Sequence, residues 1–247
     1  MKRFFVAQPL GKDFELQGQE HNHLANVLRT QTGESIIVCN GDEFDYTYNV
    51  VKIAKHSTQM KFLNRAINTA NPTKHVAVFL ALIKPDKLSQ AVTQLNEIGV
   101  TELVLFNADR CNVVLRTLNL DKFAEIARQS CKQCGRSKPL TIRYTSAEPD
   151  VALAPYNTIY FADEMTAHDC VLKSCGSQRD KSINGLPSSV AHLKTQSCAV
   201  IIGPEGGFTP NERAKLLKLA TPISLGSRIL RAETAAVIAT ILCGGTL

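Results

Sequence analysis

The stretch Ile201-Ile202-Gly203-Pro204-Glu205-Gly206-Gly207-Phe208-Thr209-Pro210-Asn211-Glu212 constrains this chain more than any other, because it reads as an apolar strand emptying through a glycine-rich turn into a helix. Cys198-Ala199-Val200-Ile201-Ile202 is an uninterrupted apolar run, the pattern of a strand buried on both faces of a parallel sheet. The helix start is written in the side chains. Thr209 suits the N-cap, Pro210 the first helical position, and Glu212 stands three residues after the cap, where its carboxylate can return to the cap's backbone N–H. Glycines 203, 206 and 207 admit positive φ and let a ligand approach the backbone. Taken alone, such a turn fits a plain structural loop as well as a ligand site.

A second stretch repeats the design about twenty residues later. Ile223-Ser224-Leu225-Gly226-Ser227-Arg228-Ile229-Leu230-Arg231 supplies a short strand and a glycine turn, and an alanine-rich helix follows from Glu233 to Leu242. A dinucleotide-dependent dehydrogenase would need GxGxxG after its first strand. Here Ala81-Leu82-Ile83-Lys84-Pro85-Asp86 contains no glycine.

This pair of motifs, in this order near the C-terminus, resembles the ribosomal-RNA small-subunit uridine N3-methyltransferases, the RsmE family of the SPOUT superfamily. The resemblance spans nearly the whole chain. Met1-Lys2-Arg3-Phe4-Phe5-Val6 and His23-Leu24-Ala25-Asn26-Val27-Leu28-Arg29 with Gly33-Glu34 are similar to the family's opening. Lys84-Pro85-Asp86-Lys87, Glu97-Ile98-Gly99-Val100, Asp109-Arg110-Cys111 and Gln133-Cys134-Gly135-Arg136 follow in family order. Lys132 stands where the family usually has Glu, and Gln94 replaces a frequent Lys, so no role is assigned to an acid on the helix that carries Lys132.

Composition agrees. The 247 residues suffice for two domains with a sizeable core, and no apolar run approaches the roughly 20 residues needed to cross a bilayer. The basic, apolar start breaks at Gln8-Pro9 before a signal-peptide core could form, which predicts a cytoplasmic protein. Eight scattered cysteines read as reduced thiols. Cys131-Lys132-Gln133-Cys134 is a lone CxxC, and Cys170 with Cys175 makes a poor second pair, so no metal is expected. Between Arg110 and Arg143 lie eight basic residues (Arg110, Arg116, Lys122, Arg128, Lys132, Arg136, Lys138 and Arg143) against two acids, Asp121 and Glu125. That excess of six equals the net charge of +6. A solvated helical face would account for such a run, but concentration of the whole excess favours a phosphate-binding surface and a nucleic-acid partner.

Two domains are predicted, 1–70 and 74–247. Ser35–Cys39 and Tyr46–Ile53 are strand-like runs joined by a hairpin turn at Asn40-Gly41-Asp42-Glu43, with another strand near Met60–Phe62 and a polar linker at Asn68–Thr73. Beyond it strands at His75–Ile83, Glu102–Phe106, Thr158–Ala162 and Cys198–Ile202 alternate with helices at Lys87–Ile98 and Asp121–Cys134, which implies an α/β domain with a largely parallel sheet. Residues 165–197 read as a long polar loop.

The resemblance implies more: a PUA-like β-barrel that helps hold RNA, a SPOUT-type methyltransferase domain with a C-terminal trefoil knot, S-adenosylmethionine as cofactor, a homodimer, and 16S rRNA or the small ribosomal subunit as partner. It implies cofactor contacts from Gly203, Gly206, Leu225, Gly226, Ile229 and Leu230, chiefly through backbone groups, although Leu225, Ile229 and Leu230 suit ordinary core equally well. Arg231 is the first candidate to stabilise an anionic uridine. Glu205 and Glu233 are each candidates for a base or for fixing Arg231. Arg29, Arg110 and Arg136 are expected to face RNA, and Arg228 to meet solvent or phosphate. A SPOUT enzyme acting on ribose or tRNA, and a non-catalytic RNA-binding assembly factor, are the alternatives.

Overall fold

The computed structural model describes residues 1–7, 10–113, 119–166 and 197–243. Gln8-Pro9, Arg116, Cys170, Cys175 and nearly all of the polar loop expected at 165–197 lie outside the described residues. The chain forms two compact units. One comprises Met1–Asn71 with Arg128–Pro139, and the other Pro72–Ala127 with Leu140–Leu247.

The first unit is a five-stranded sheet ordered β1-β3-β4-β5-β2, from β1 (Arg3–Phe5), β2 (Asp13–Gln17), β3 (Ser35–Cys39), β4 (Phe44–Ile53) and β5 (Ser57–Ile67). Only β1 and β3 pair in parallel. In β2 the alternation is plain: Phe14 and Leu16 point inward between exposed neighbours. The β4–β5 hairpin shifts register at Thr47/Tyr48 and Val50/Lys52, irregularities of the kind that bend and twist a sheet. Phe4, Leu24, Ile36, Val38, Tyr48, Val50 and Met60 complete the core, with a short helix, α1 (Gly18–Asn22), and a wider helical turn at His23–Val27 beside it. That turn ends at Arg29, the one non-glycine residue with positive φ (47°) among those described.

The segment Arg128–Pro139 belongs to this unit through specific contacts. Cys131 packs with Phe5 and Cys39, and Lys132 pairs with Glu20. Asn68 Nδ2 donates to Gly135 O (2.8 Å), Asn71 Nδ2 to Ser137 Oγ (2.8 Å), and Ser137 Oγ to Asp42 O (2.8 Å). A single cut in the linear sequence does not express this arrangement.

The second unit is a six-stranded, all-parallel sheet. It is ordered β11-β9-β10-β6-β7-β8, from β6 (His75–Ala81), β7 (Glu102–Phe106), β8 (Thr141–Thr145), β9 (Thr158–Ala162), β10 (Ser197–Ile202) and β11 (Thr221–Ile223). After its first residue β6 is buried throughout, as a strand covered on both faces must be. On one face Val78, Leu80, Leu103, Val200 and Ile202 pack against α2 (Pro85–Glu97), the first half of α3 (Leu120–Cys134) and α6 (Ala232–Leu242). On the other, Ala77, Phe79, Val104, Phe161, Ala199 and Ile201 meet α4 (Pro149–Leu153) and α5 (Pro210–Leu219). At about 25 cal/mol per Å² of apolar area removed from water, these two layers are the main stabilising contribution to the unit.

Candidate functional site

Because every strand of the second sheet points the same way, the turns that follow β9, β10 and β11 emerge at one edge. There they surround a single cavity of about 280 Å³. Its wall is formed by Asp163 and Glu164 after β9, Gly203 to Phe208 after β10, Leu225, Gly226, Arg228, Ile229 and Leu230 after β11, and Ala232 and Ala235 at the start of α6. The volume lies near the lower end of the roughly 300–1,000 Å³ usual for ligand pockets. A second hollow of about 400 Å³ lies on the opposite face, between α4 and α5, floored by Phe79, Phe106 and Phe208; no glycine turn enters it.

The first turn is held from several directions. Gly207 N donates to Pro204 O (2.9 Å) and closes the turn, with Gly207 at φ 67°. The capping box expected for α5 is present. Glu212 N donates to Thr209 Oγ1 (3.3 Å) and Thr209 N to Glu212 Oε2 (2.7 Å), which satisfies two orphan donors at once. The same Glu212 reaches beyond its helix, its Oε1 accepting from Asp109 N at 2.8 Å. A Cβ built on Gly203 would stand 3.1–3.3 Å from the Phe208 ring, and one on Gly207 would stand 2.7 Å from Glu164 Oε1. Glycine is therefore a steric requirement at Gly203, against the packed ring, and a conformational one at Gly207, whose φ is 67°.

Behind the turn, Arg213 on α5 clamps Asp163, with Nη2 to Oδ2 at 2.8 Å and Nε to both oxygens at 3.1 Å. Burial alone would raise the Asp163 carboxyl. The hydrogen bonds from Arg213 and Thr166 outweigh it and hold the group below its usual range. Asp163 N also donates to Ile223 O (3.0 Å), so the exits of β9 and β11 are tied together.

The second turn shows fewer partners among the described residues. Ser224 Oγ accepts from Gly226 N (3.4 Å), Gly226 sits at φ 103° with open space where a Cβ would go, and Ile229 is 91% exposed. Arg231 ends the turn as N-cap of α6, its carbonyl accepting from Ala235 N at 2.7 Å.

All six expected cofactor residues, Gly203, Gly206, Leu225, Gly226, Ile229 and Leu230, line the cavity. Of the expected catalytic residues, exposed Glu205 lines it. Arg231 is exposed and is not among the lining residues, although Leu230 and Ala232 on either side of it in sequence are. Glu233 is a correction. Its side chain is buried, stands outside the cavity, and lies 3.7 Å from Lys87 Nζ on α2, so it ties two helices and faces neither the cavity nor Arg231. Arg228, expected in solvent or on phosphate, is on the cavity wall. Glu164 was missed because nothing in Phe161-Ala162-Asp163-Glu164 marks a ligand site until β9 is placed beside β10.

The RNA-facing set also divides. Arg29 is exposed. Arg136 is 2% exposed, and burial lowers its guanidinium pKa, so it is an interior residue where a surface contact was expected. Arg110 is exposed, and its Nη1 donates to Gly206 O of the glycine turn at 2.8 Å. Within the basic run, Lys132 pairs with Glu20 and Arg143 with Glu102.

Comparison with known proteins places this architecture. Residues 69–243 match the RNA methyltransferase domain family and residues 16–63 the RNA methyltransferase PUA domain family. The chain is 27% identical over 243 residues to the protein named Ribosomal RNA small subunit methyltransferase E in Rickettsia conorii, covering 96% of this chain and 92% of that one. Its namesake in Helicobacter pylori is 29% identical over 214 residues, covering 85% of each. The crystal structure of Ribosomal RNA small subunit methyltransferase E from Neisseria gonorrhoeae, bound to S-adenosyl methionine, superposes with a TM-score of 0.72 at 22% identity over 98% of this chain and 96% of that one, a match of fold. With its parallel-sheet domain matched over more than two thirds of the sequence and a PUA domain before it, the chain belongs to the RNA methyltransferase family.

Proposed function

We propose that this protein transfers a methyl group from S-adenosylmethionine to N3 of a uridine in 16S rRNA of the small ribosomal subunit. The observation that carries this reading is the meeting of two glycine turns around one cavity at the carboxyl ends of β9, β10 and β11. The residues present fit such a donor. Gly203 and Gly207 bring backbone to the cavity wall beside Phe208 and Glu164, Gly226 exposes backbone, Leu225 and Leu230 supply apolar wall, and the Glu164 carboxylate can accept from ribose hydroxyls. When bound, the cofactor supplies a methyl group on a positively charged sulfur, transferred as the new bond to nitrogen forms.

The chain must then favour the uridine anion, since N3 keeps its proton at neutral pH. We assign stabilisation of the negative charge on the uridine carbonyls to Arg231, whose backbone is fixed as the first acceptor of α6. Arg228 is a second cation on the wall. A well-aimed donor of this kind contributes roughly 3 kcal/mol to the transition state. To Glu205, the exposed carboxylate of the first turn that lines the cavity, we assign uptake of the N3 proton, while Glu233 with Lys87 holds α6 on α2.

The same reading extends to architecture. Strand β11 pairs with β9 at the sheet edge, after which the chain returns to α6 against α2, β10 and β6. This path is compatible with a trefoil knot through the first turn, a feature rare among folds. The outward face of α6 carries partly exposed Ile238 and Ile241, and near it Ile229 is open, which supports a homodimer. Among the described residues no helix is long and apolar enough to cross a membrane.

Nucleoside mass spectrometry of 16S rRNA from cells lacking the protein tests the assignment, with loss of one N3-methyluridine expected. Loss of a ribose or tRNA modification would redirect it to another acceptor. RNA binding without measurable S-adenosylmethionine binding would make the protein an assembly factor.

A further inference from the structure

We propose that Arg110 is a positioning residue for the first glycine turn, holding Gly206 in the conformation that shapes the donor cavity, and that its main task is not to contact RNA. This rests on the donor reading of that cavity. Strand β7 ends at Phe106, and Cys111 N donating to Ala108 O (3.0 Å) folds the next residues into a tight bend. From that bend two neighbouring side chains grip the turn. Arg110 Nη1 donates to Gly206 O at 2.8 Å, and its stem lies flat on the glycine, since a Cβ at Gly206 would be 3.1 Å from Arg110 Cβ and 3.4 Å from Cδ. Asp109 takes the other end, its N–H donating to Glu212 Oε1 (2.8 Å) and its Oδ2 accepting from Thr209 Oγ1 (3.0 Å).

The chemistry explains why these residue types stand there. A phosphate contact needs only the charge, whereas here a long apolar stem covers the α-carbon of a glycine and a planar donor fixes the carbonyl of the same residue. With that carbonyl turned toward Arg110, the N–H of the same peptide, that of Gly207, points the other way onto Pro204 O (2.9 Å), so both polar groups of this peptide are held by protein. The Gly206 carbonyl is thus engaged by protein, and the turn is offered to a ligand through its remaining groups.

The test compares wild type with Arg110→Ala, Arg110→Lys and Gly206→Ala. Amide hydrogen exchange of residues 203–208 is followed in the protein without ligand, and affinity for S-adenosylmethionine and S-adenosylhomocysteine is measured by calorimetry. We expect Arg110→Ala to speed exchange at Gly206 and Gly207 about tenfold and to weaken both ligands about tenfold. The donor KM rises while kcat changes little, and Arg110→Lys, which keeps the stem, recovers part of the loss. The dependence of RNA binding on salt stays as in wild type. Wild-type exchange and donor affinity in Arg110→Ala, with the salt slope reduced by about one, would instead make Arg110 a phosphate contact and overturn the proposal. If wild type binds neither ligand, the donor reading fails by itself, and unchanged exchange in Arg110→Ala then overturns the brace.

Discussion

The two glycine turns share a design and differ in how they are held. The first, after β10, is fastened by a capping box, by Asp109 and Arg110 from the β7 exit, and by the packing of Phe208 against Phe161. The second, after β11, shows among the described residues a long hydrogen bond from Gly226 N to Ser224 Oγ, a glycine with open space on its Cβ side, and a largely exposed isoleucine. A strand exit therefore becomes a rigid wall only where neighbouring elements supply partners. Local sequence alone does not do it. The contrast suggests a division of labour in which the braced turn sets the position of the donor and the open turn, with Arg228 and Arg231, adapts to the acceptor.

The largest effect is expected from the open side. Arg231→Ala should keep fold and donor affinity while losing methylation by roughly 100-fold or more, the loss of one well-aimed donor, measured by single-turnover transfer to RNA. Normal turnover in that variant, with a large loss in Arg228→Ala, would move the role to the cavity wall. Next comes the braced turn. Gly203→Ala places a methyl 3.1 Å from a packed ring and should weaken S-adenosylmethionine binding at least about tenfold, a cost of about 1–3 kcal/mol. Gly226→Ala meets no atom of the described residues and bears the strain of φ 103°, so its effect on the same affinity should be smaller. Equal losses in the two glycine variants would erase the distinction between the turns.

A smaller effect concerns pH. The folded Asp163 carboxyl lies below its ordinary value of 3.8, so its contribution to stability is present above that value and disappears as pH falls through the folded one. Asp163→Asn should lower stability at pH 7 by about 1–3 kcal/mol and flatten the acid limb of the denaturation profile below about pH 4. An unchanged acid limb would show that the Arg213 clamp does not support the braced side.

Much of this was legible from local pattern. Glu102–Phe106 and Thr158–Ala162 were bounded correctly because uninterrupted apolar runs between polar residues admit few other readings. The α5 start was legible because Thr209, Pro210 and Glu212 each have a separate physical reason for their place. The partners of charges were not legible. Arg110, Arg136 and Glu233 are recorded in sequence only as charges, while their tasks depend on groups 96 residues away at Gly206, on burial, and on Lys87 in another helix. For the same reason a count of basic residues along the chain does not show that Lys132 and Arg143 have acids beside them. The β5 strand was placed but proved far longer than Met60–Phe62, because its pairing with β4 extends through residues whose own preferences are weak.

The first compact unit is assembled from two separated stretches of sequence, with Phe5, Cys39 and Asp42 waiting for Cys131 and Ser137. During synthesis its N-terminal strands can pair early, but the unit is complete only when residue 139 has left the ribosome, after the first strands of the other unit have already been made. A fragment ending at residue 71 would expose the patch that Cys131 covers and leave the Asp42 carbonyl to water. Excising residues 1–71 as a portable module should therefore yield a less stable and more aggregation-prone product than a protein whose modules follow one another along the chain.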